Sequence, residues 1–322
     1  MHWERPCPYS ECLEEYMHCT SSSSWEIPSS CLLSCPWWCS GSGCSCCSLR
    51  CSLTCSRRRT GMGGISRAHD FTLEKYGDLC DALFNSGYSI LTVHDYLTKC
   101  QDSQYPIPKC AIMRHDVDRK IDNTLRMAKL EHAREIRSTY YFRYPYTFKP
   151  EIINQIRDFD HEIGYHYEVL AKAKGDYKKA IQLFEQELQV MREFYEISTI
   201  CMHGSPLSRF DNRDLWKHYD FKDFGIVGEA YLSMKTLQYY SDTGRNWNAR
   251  YSIRDQMISG FLEKRPETTD ELLETIQTKQ ENQIYISTHP ERWANNLLEW
   301  YSGYFRDFTF NTGKRIIIGL RT

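Results

Sequence analysis

The sequence predicts an α/β barrel preceded by a Cys/Ser-rich low-complexity segment, and three observations point there. From about Ile65 onward, short β-branched or aromatic runs alternate with amphipathic helical stretches. Seven such runs suit a barrel better than a small open sheet, and a (β/α) barrel usually takes about 250 residues. Several of the predicted strands also end in carboxylate or imidazole side chains, at the place where α/β folds carry their chemistry.

In chain order, strands are predicted at Ser89–Val93, Cys110–Asp116, Ser138–Arg143, Glu162–Tyr167, Thr199–His203, Gly225–Tyr231 and Gln283–Thr288. Helices are predicted between them at Leu73–Asn85, Asp122–Arg134, Pro150–Arg157, Tyr177–Tyr195, Arg213–His218 and Thr268–Lys279. A final helix is expected from Arg292 into the Leu297–Phe305 region. The Tyr177–Tyr195 segment has the clearest periodicity. Ala180, Ile181, Leu183, Phe184, Leu188 and Met191 form an apolar stripe, and Lys178, Lys179, Glu185 and Glu187 are read as a solvated face.

Residues 1–66 are foreign to this pattern. Of 15 cysteines in 322 residues, eleven fall between Cys7 and Cys55, alongside the serine run Ser21–Ser24 and the pair Trp37-Trp38. No helical or strand period runs through the segment. Leu32-Leu33 is cut short by Ser34, Cys35 and Pro36, so a signal peptide is rejected. A metal-binding thiolate cluster lacks the paired C-x2-C units of a structural zinc site. The remaining readings are a disordered tail and a translation start at Met62, which opens Met-Gly-Gly-Ile; the later start is favoured. The barrel then occupies residues 67–322. Its four cysteines, Cys80, Cys100, Cys110 and Cys201, are too scattered for a disulfide framework and point to a reducing, cytoplasmic compartment. A net charge of −2 argues against a nucleic-acid partner or an anionic membrane surface. No apolar run reaches the roughly 18 residues of a spanning helix.

The strand ends carry the functional signal. Cys110–Asp116 runs into Arg114-His115-Asp116-Val117-Asp118, and strand alternation puts Asp116 and Asp118 on one side with His115 opposite. Two carboxylates so close need a cation or a proton between them. A helix N-cap role explains Asp118 alone but not the apolar strand before it. His166, His203 and His289 end three further strands, and Pro290 holds His289 extended. His161 opens its strand from the other end and reads as structural. One carboxylate and two imidazoles with an open position make a hydrolytic metal site, most simply zinc. The metal polarises a carbonyl and activates water, a spare carboxylate serves as base, and a spare imidazole protonates the leaving group. That chemistry is amide or ester hydrolysis.

At these residues, over roughly Cys110–Pro290, the sequence resembles the polysaccharide deacetylase (NodB-homology, carbohydrate esterase family 4) superfamily. The resemblance implies a distorted (β/α)7 barrel that removes acetyl groups with a divalent metal. Arg114-His115-Asp116-Val117-Asp118 resembles the family's T-F-D-D motif, which makes Asp116 the base and Asp118 a ligand. Leu125–Arg143 resembles the following helix and strand. His161–His166 resembles G-H-E-I-G-N-H and places His166 on the first metal histidine. Ser241–Trp247 resembles the motif lining the acetyl pocket, and Ile286-Ser287-Thr288-His289 resembles L-L-H, whose histidine is the general acid. The family's second metal histidine falls on Leu170, and Met202-His203-Gly204-Ser205-Pro206 stands where R-P-P-x-G is expected. His203 is therefore expected to supply the missing ligand, with Glu168 as the alternative. Arg114, Glu168, Asp242, Arg245 and Trp247 are expected to bind substrate. The sequence predicts a zinc-dependent hydrolase of carbon–nitrogen or ester bonds acting on an acetylated carbohydrate or small molecule. Two alternatives stand beside it: a hydrolase of another non-peptide C–N bond, and a non-catalytic carbohydrate-binding or scaffold barrel.

Overall fold

A computed structural model describes residues 69–321, apart from 102–108, 206–207, 235–236, 253, 256–264 and 279–280. The side chains of residues 100–101 and 314–321 are also outside the description. The Cys/Ser-rich segment, the Met62 start and Pro206 lie outside the described residues.

Eight parallel strands form one curled sheet, an open and distorted α/β barrel. They are β1 (Ser89–Leu91), β2 (Cys110–Val117), β3 (Thr139–Phe142), β4 (Glu162–Tyr167), β5 (Thr199–Met202), β6 (Gly228–Glu229), β7 (Gln238–Ser241) and β8 (Gln283–Thr288). The order is β6-β5-β4-β3-β2-β8-β7, and β1 pairs with the first half of β2. Around the sheet lie α1 (Leu73–Asn85), α2 (Val93–Gln101), α3 (Ile121–His132), α4 (Pro150–Asp158), the single turn α5 (Val169–Lys172), α6 (Tyr177–Arg192), α7 (Thr269–Thr278) and α8 (Leu297–Arg321).

Strand β2 is the axis of the fold. All eight of its residues are buried, as a parallel strand covered on both faces requires. Its pleat sends Arg114 and Asp116 to one face and His115 to the other. His115 meets Glu131 of α3 through Nε2 at 2.9 Å and Thr288 through Nδ1 at 2.6 Å. Glu131 also accepts the hydroxyls of Tyr76, Tyr140 and Ser138, so a fully buried carboxylate is satisfied from α1, β2 and β3 together. On the opposite face Arg114 crosses the barrel interior, with its guanidinium 4.4 Å from the Tyr231 ring and 5.4 Å from that of Tyr285. Gly164 of β4 lets the sheet curl tightly, because a Cβ there would lie 2.4 Å from the Tyr141 ring.

The structure corrects the sequence reading at several elements. The strand expected over Gly225–Tyr231 shrinks to Gly228–Glu229, and the helix expected over Arg213–His218 is a 3-10 helix at Asn212–Lys217. Val93 begins helix α2 instead of ending β1, and Thr92 caps it by accepting the Asp95 N–H at 3.0 Å. Strand β7 was hidden in Gln238-Tyr239-Tyr240-Ser241, where paired tyrosines mask alternation. The final helix starts at Leu297, not Arg292, because Ala294 bonds to Phe71 and Leu73 in a bridge beside α1. Asn296 then caps the helix by accepting the Glu299 N–H at 2.9 Å. Glu187 is not on a solvated face. It is buried and takes the Tyr165 hydroxyl at 2.5 Å and Lys172 at 2.9 Å. Cys80, Cys110 and Cys201 are buried, and none of them is in a disulfide among the described residues. Among the described residues, no helix is long and apolar enough to cross a membrane.

Candidate functional site

The C-terminal ends of the strands surround a cavity of about 500 Å³. Asp116, Asp118, His166, His203 and His289 all stand in its wall. They come from the ends of β2, β4, β5 and β8, so five residues up to 173 positions apart in sequence converge only because the strands are parallel.

Asp118 Oδ1 lies 3.4 Å from His166 Nε2 and 3.3 Å from His203 Nε2. This oxygen is shut off from solvent and makes no hydrogen bond of good geometry. The far nitrogens of both rings are occupied. His166 Nδ1 is 3.0 Å from the Cys201 carbonyl oxygen, and His203 Nδ1 is 2.7 Å from Glu168 Oε2 and 3.0 Å from Ser205 Oγ. Arg143 in turn grips both Glu168 oxygens at 2.9 Å. Asp118 Oδ1 thus faces both imidazoles, and the outer nitrogens of both rings are held by partners that fix ring orientation, as the far nitrogens of metal-bound histidines are. Burial opposes the charge on Asp118, but His203 and His166 outweigh it and hold the carboxyl well below its usual range. Glu168 is likewise held at about 2, against its burial, by His203 and Arg143.

A second convergence brings Asp116, His166 and Cys201 within 4.8 Å of one another. Its donors suit a metal less well. Burial pushes the Cys201 thiol well up despite Arg114, and a thiol kept protonated is a poor ligand. Asp116 is already bonded by Arg114 Nη1 at 2.7 and 2.9 Å.

That Arg114 bond fixes the direction of the Asp116 carboxylate. Arg114 also donates to the Tyr239 hydroxyl at 3.0 Å and lies 3.9 Å from Asp255. Asp255 collects the hydroxyls of Tyr231, Tyr239, Ser241 and Thr243. Across the cavity, His289 Nδ1 is 2.6 Å from Asp242 Oδ1, while the His289 backbone N–H donates to Oδ2 at 2.9 Å. Arg292 and the Trp293 indole N–H complete the Asp242 shell at 2.7 and 3.0 Å. Burial and Arg292 pull the His289 pKa down, and Asp242 more than reverses them, so it sits above the ordinary histidine value. The arrangement offers an oriented carboxylate, an imidazole that favours its protonated form, and a three-donor cluster between them: the parts of general acid–base hydrolysis.

The residues expected to bind substrate are placed differently. Glu168 lines the cavity but is turned onto His203 and Arg143. Arg114 and Asp242 are fully buried behind Asp116 and His289, where they orient those side chains. Trp247 is fully buried too, stacked 6.1 Å from Phe71 and donating to Thr269 Oγ1 at 3.1 Å. Arg245 pairs with Asp307 and lines a separate cavity. The loop folds inward with Asp242, the Arg245 Nε and the Trp247 indole N–H bonded to other parts of the protein. Leu170, at the position of the family's second histidine, is a core residue. Sequence reasoning missed Arg143, which directly follows β3 and was open to the same strand-end logic. It also missed Arg292 and Asp255, which carry no spacing signal. A further wall comes from α8, through Asp307, Thr309, Phe310, Asn311 and Gly313.

No protein-family model matches the chain, and no curated protein does. Solved structures do. The chain is similar to a CE4 family pseudoenzyme from Bacillus anthracis at 11% identity, covering 65% of this chain and 63% of that one, with a TM-score of 0.37. It is similar to a CE4 esterase from Streptococcus mutans at 12% identity, over 71% and 89% of the two chains, with a TM-score of 0.40. It is also similar to the catalytic domain of a peptidoglycan N-acetylglucosamine deacetylase from Eubacterium rectale, at 13% identity over 64% and 86%, with a TM-score of 0.40.

Proposed function

We propose that the chain is a metal-dependent hydrolase that removes an acetyl group from a carbohydrate amide or ester. One observation carries this reading: Asp118, His166 and His203 converge between an Arg-oriented Asp116 and an Asp-oriented His289, all in the wall of one cavity. The orphaned Asp118 oxygen and the two outward-anchored imidazoles fit a divalent ion, and a site of one carboxylate and two histidines suits zinc. When bound, the ion supplies Lewis-acid polarisation of the carbonyl and lowers the pKa of water. Asp118, His166 and His203 hold it; Glu168 and Cys201, through its carbonyl, orient the two rings. Asp116 accepts the proton of the attacking water on its carboxylate. His289, tied to Asp242 through Nδ1, delivers a proton from Nε2 to the leaving nitrogen or oxygen. A carboxylate oriented by a buried arginine and an imidazole oriented by a buried aspartate are more than a binding scaffold needs, which favours the catalytic reading over the non-catalytic one. The carbohydrate preference rests on the family resemblance.

The test is acetate release from N-acetylglucosamine oligomers by the zinc-loaded chain, with chelated protein as control. Zinc-dependent acetate release is expected. Stoichiometric zinc binding with no acetate released would move the substrate to another C–N bond, and neither binding nor turnover would favour a scaffold. A pH profile tests the acid. Asp242 raises the His289 pKa, so Asp242→Asn is expected to move the alkaline limb of kcat/KM to lower pH. An unmoved limb in a folded, zinc-bearing Asp242→Asn protein would remove His289 from the role.

A further inference from the structure

Helix α8 carries an apolar stripe that the barrel does not cover. Leu298, Tyr301, Phe305 and Phe308 follow one another at intervals of three, four and three residues, the a and d positions of a heptad, and so share one face of the helix. They are 84%, 50%, 67% and 61% exposed. Among the described residues, none of the four belongs to the apolar core of the barrel. The opposite face holds the helix to the fold. Gly303 and Asp307 are buried there, with Arg245 Nε donating to Asp307 at 2.8 Å. The Trp300 indole N–H donates to the Asp70 carbonyl at 2.7 Å.

The area is close to what a stable pairing needs. A fully exposed side chain of this size presents roughly 200 Å². With the half-exposed Leu297 and Tyr304 beside the stripe, the six side chains offer up to about 700 Å². A monomer seldom leaves a patch larger than about 300–600 Å² bare, and a standard interface takes about 800 Å² from each partner. Charge selects the occupant. Between Leu297 and Gly313 the helix has three charged residues, and none lies on the stripe. Glu299 pairs with Arg126 at 3.0 Å, Asp307 pairs with Arg245, and Arg306 Nε and Nη2 are shut off from solvent. A second copy brings the same uncharged stripe, so a two-fold pairing meets no like charge, and the heptad spacing suits a helix as partner. A helix that lies on a membrane is rich in lysine and arginine beside its apolar face. Here Lys314 and Arg315 come only after the stripe in the sequence.

We propose that α8 is a self-association surface, on which two copies of this chain pair about a two-fold axis with Leu298, Tyr301, Phe305 and Phe308 packed stripe to stripe. The inference is independent of the hydrolase reading, since it uses none of the proposed catalytic or metal-binding residues. The full chain is examined by sedimentation equilibrium over a concentration series, in reductant so that the eleven cysteines between Cys7 and Cys55 do not link copies. A dimer with a Kd in the micromolar range is expected. Phe305→Glu places a charge in the seam and is expected to raise that Kd at least tenfold, with Leu298→Glu as a second variant of the same stripe. Phe84→Glu, at an exposed phenylalanine of α1, is expected to leave it unchanged. A monomer at about 100 µM, a dimer that survives both stripe variants, or equal weakening by Phe84→Glu would each overturn the proposal. So would a monomer that cosediments with phosphatidylserine vesicles and loses them on Phe305→Glu, since the stripe would then be a membrane surface.

Discussion

Asp116→Asn is expected to lower acetate release by about 10²- to 10⁴-fold, the range a general base contributes. Asparagine keeps the shape of the side chain and one acceptor for Arg114, but it has no site for the proton of the attacking water. Arg114 is fully buried, so weakening its ion pair also lowers the melting temperature. Zinc content is expected to stay at the wild-type level, because Asp118, His166 and His203 are untouched. Single-turnover acetate release and metal analysis on the same preparation separate the two effects. Near-wild-type turnover in the Asp116→Asn protein would place the base elsewhere.

Replacing Glu131 by leucine is expected to cost about 3–5 kcal/mol of stability, the penalty of breaking a buried charged network from one side. His115, Ser138, Tyr76 and Tyr140 all bond to this carboxylate, and none of them reaches solvent. For a domain of this size the melting temperature falls by roughly 10 °C. The same network makes the fold acid-sensitive. Burial would raise the Glu131 pKa, yet the His115 imidazole and the hydrogen bonds around the carboxylate hold it down at about 2. A carboxyl whose folded pKa is depressed stabilises the fold above its unfolded value, near 4.5, and that contribution is lost as the pH falls toward 2. Melting curves between these limits are expected to decline less steeply for Glu131→Leu than for the wild type; parallel declines would remove Glu131 as the group responsible.

The proposed ligands and acid–base pair were legible in the sequence because each stands at the end of a strand of plain composition. Asp116, Asp118, His166, His203 and His289 needed only the strand assignments and the rule that parallel strands gather their C-terminal ends. The side chains that orient them were not legible in the same way. Asp242 and Arg114 read as groups offered to a ligand, whereas the structure turns each onto a neighbour in the protein. Asp255 lies in a loop with no period, and only the fold brings it to Arg114. Glu187 shows the same limit in a helix: the period put it outside, but a lysine and a tyrosine from α5 and β4 draw it in. Periodicity reports which face is apolar, and a buried ion pair leaves no trace in that pattern.

Metal analysis of three purified proteins tests the proposed site most directly. The wild-type chain is expected to bind about one zinc ion, set by its three donors. His203→Ala is expected to lose it, while Glu168→Gln, which only releases the orientation of His203, keeps zinc with affinity lowered by about 10- to 100-fold. Undiminished zinc in a folded His203→Ala protein would contradict the ligand set of Asp118, His166 and His203.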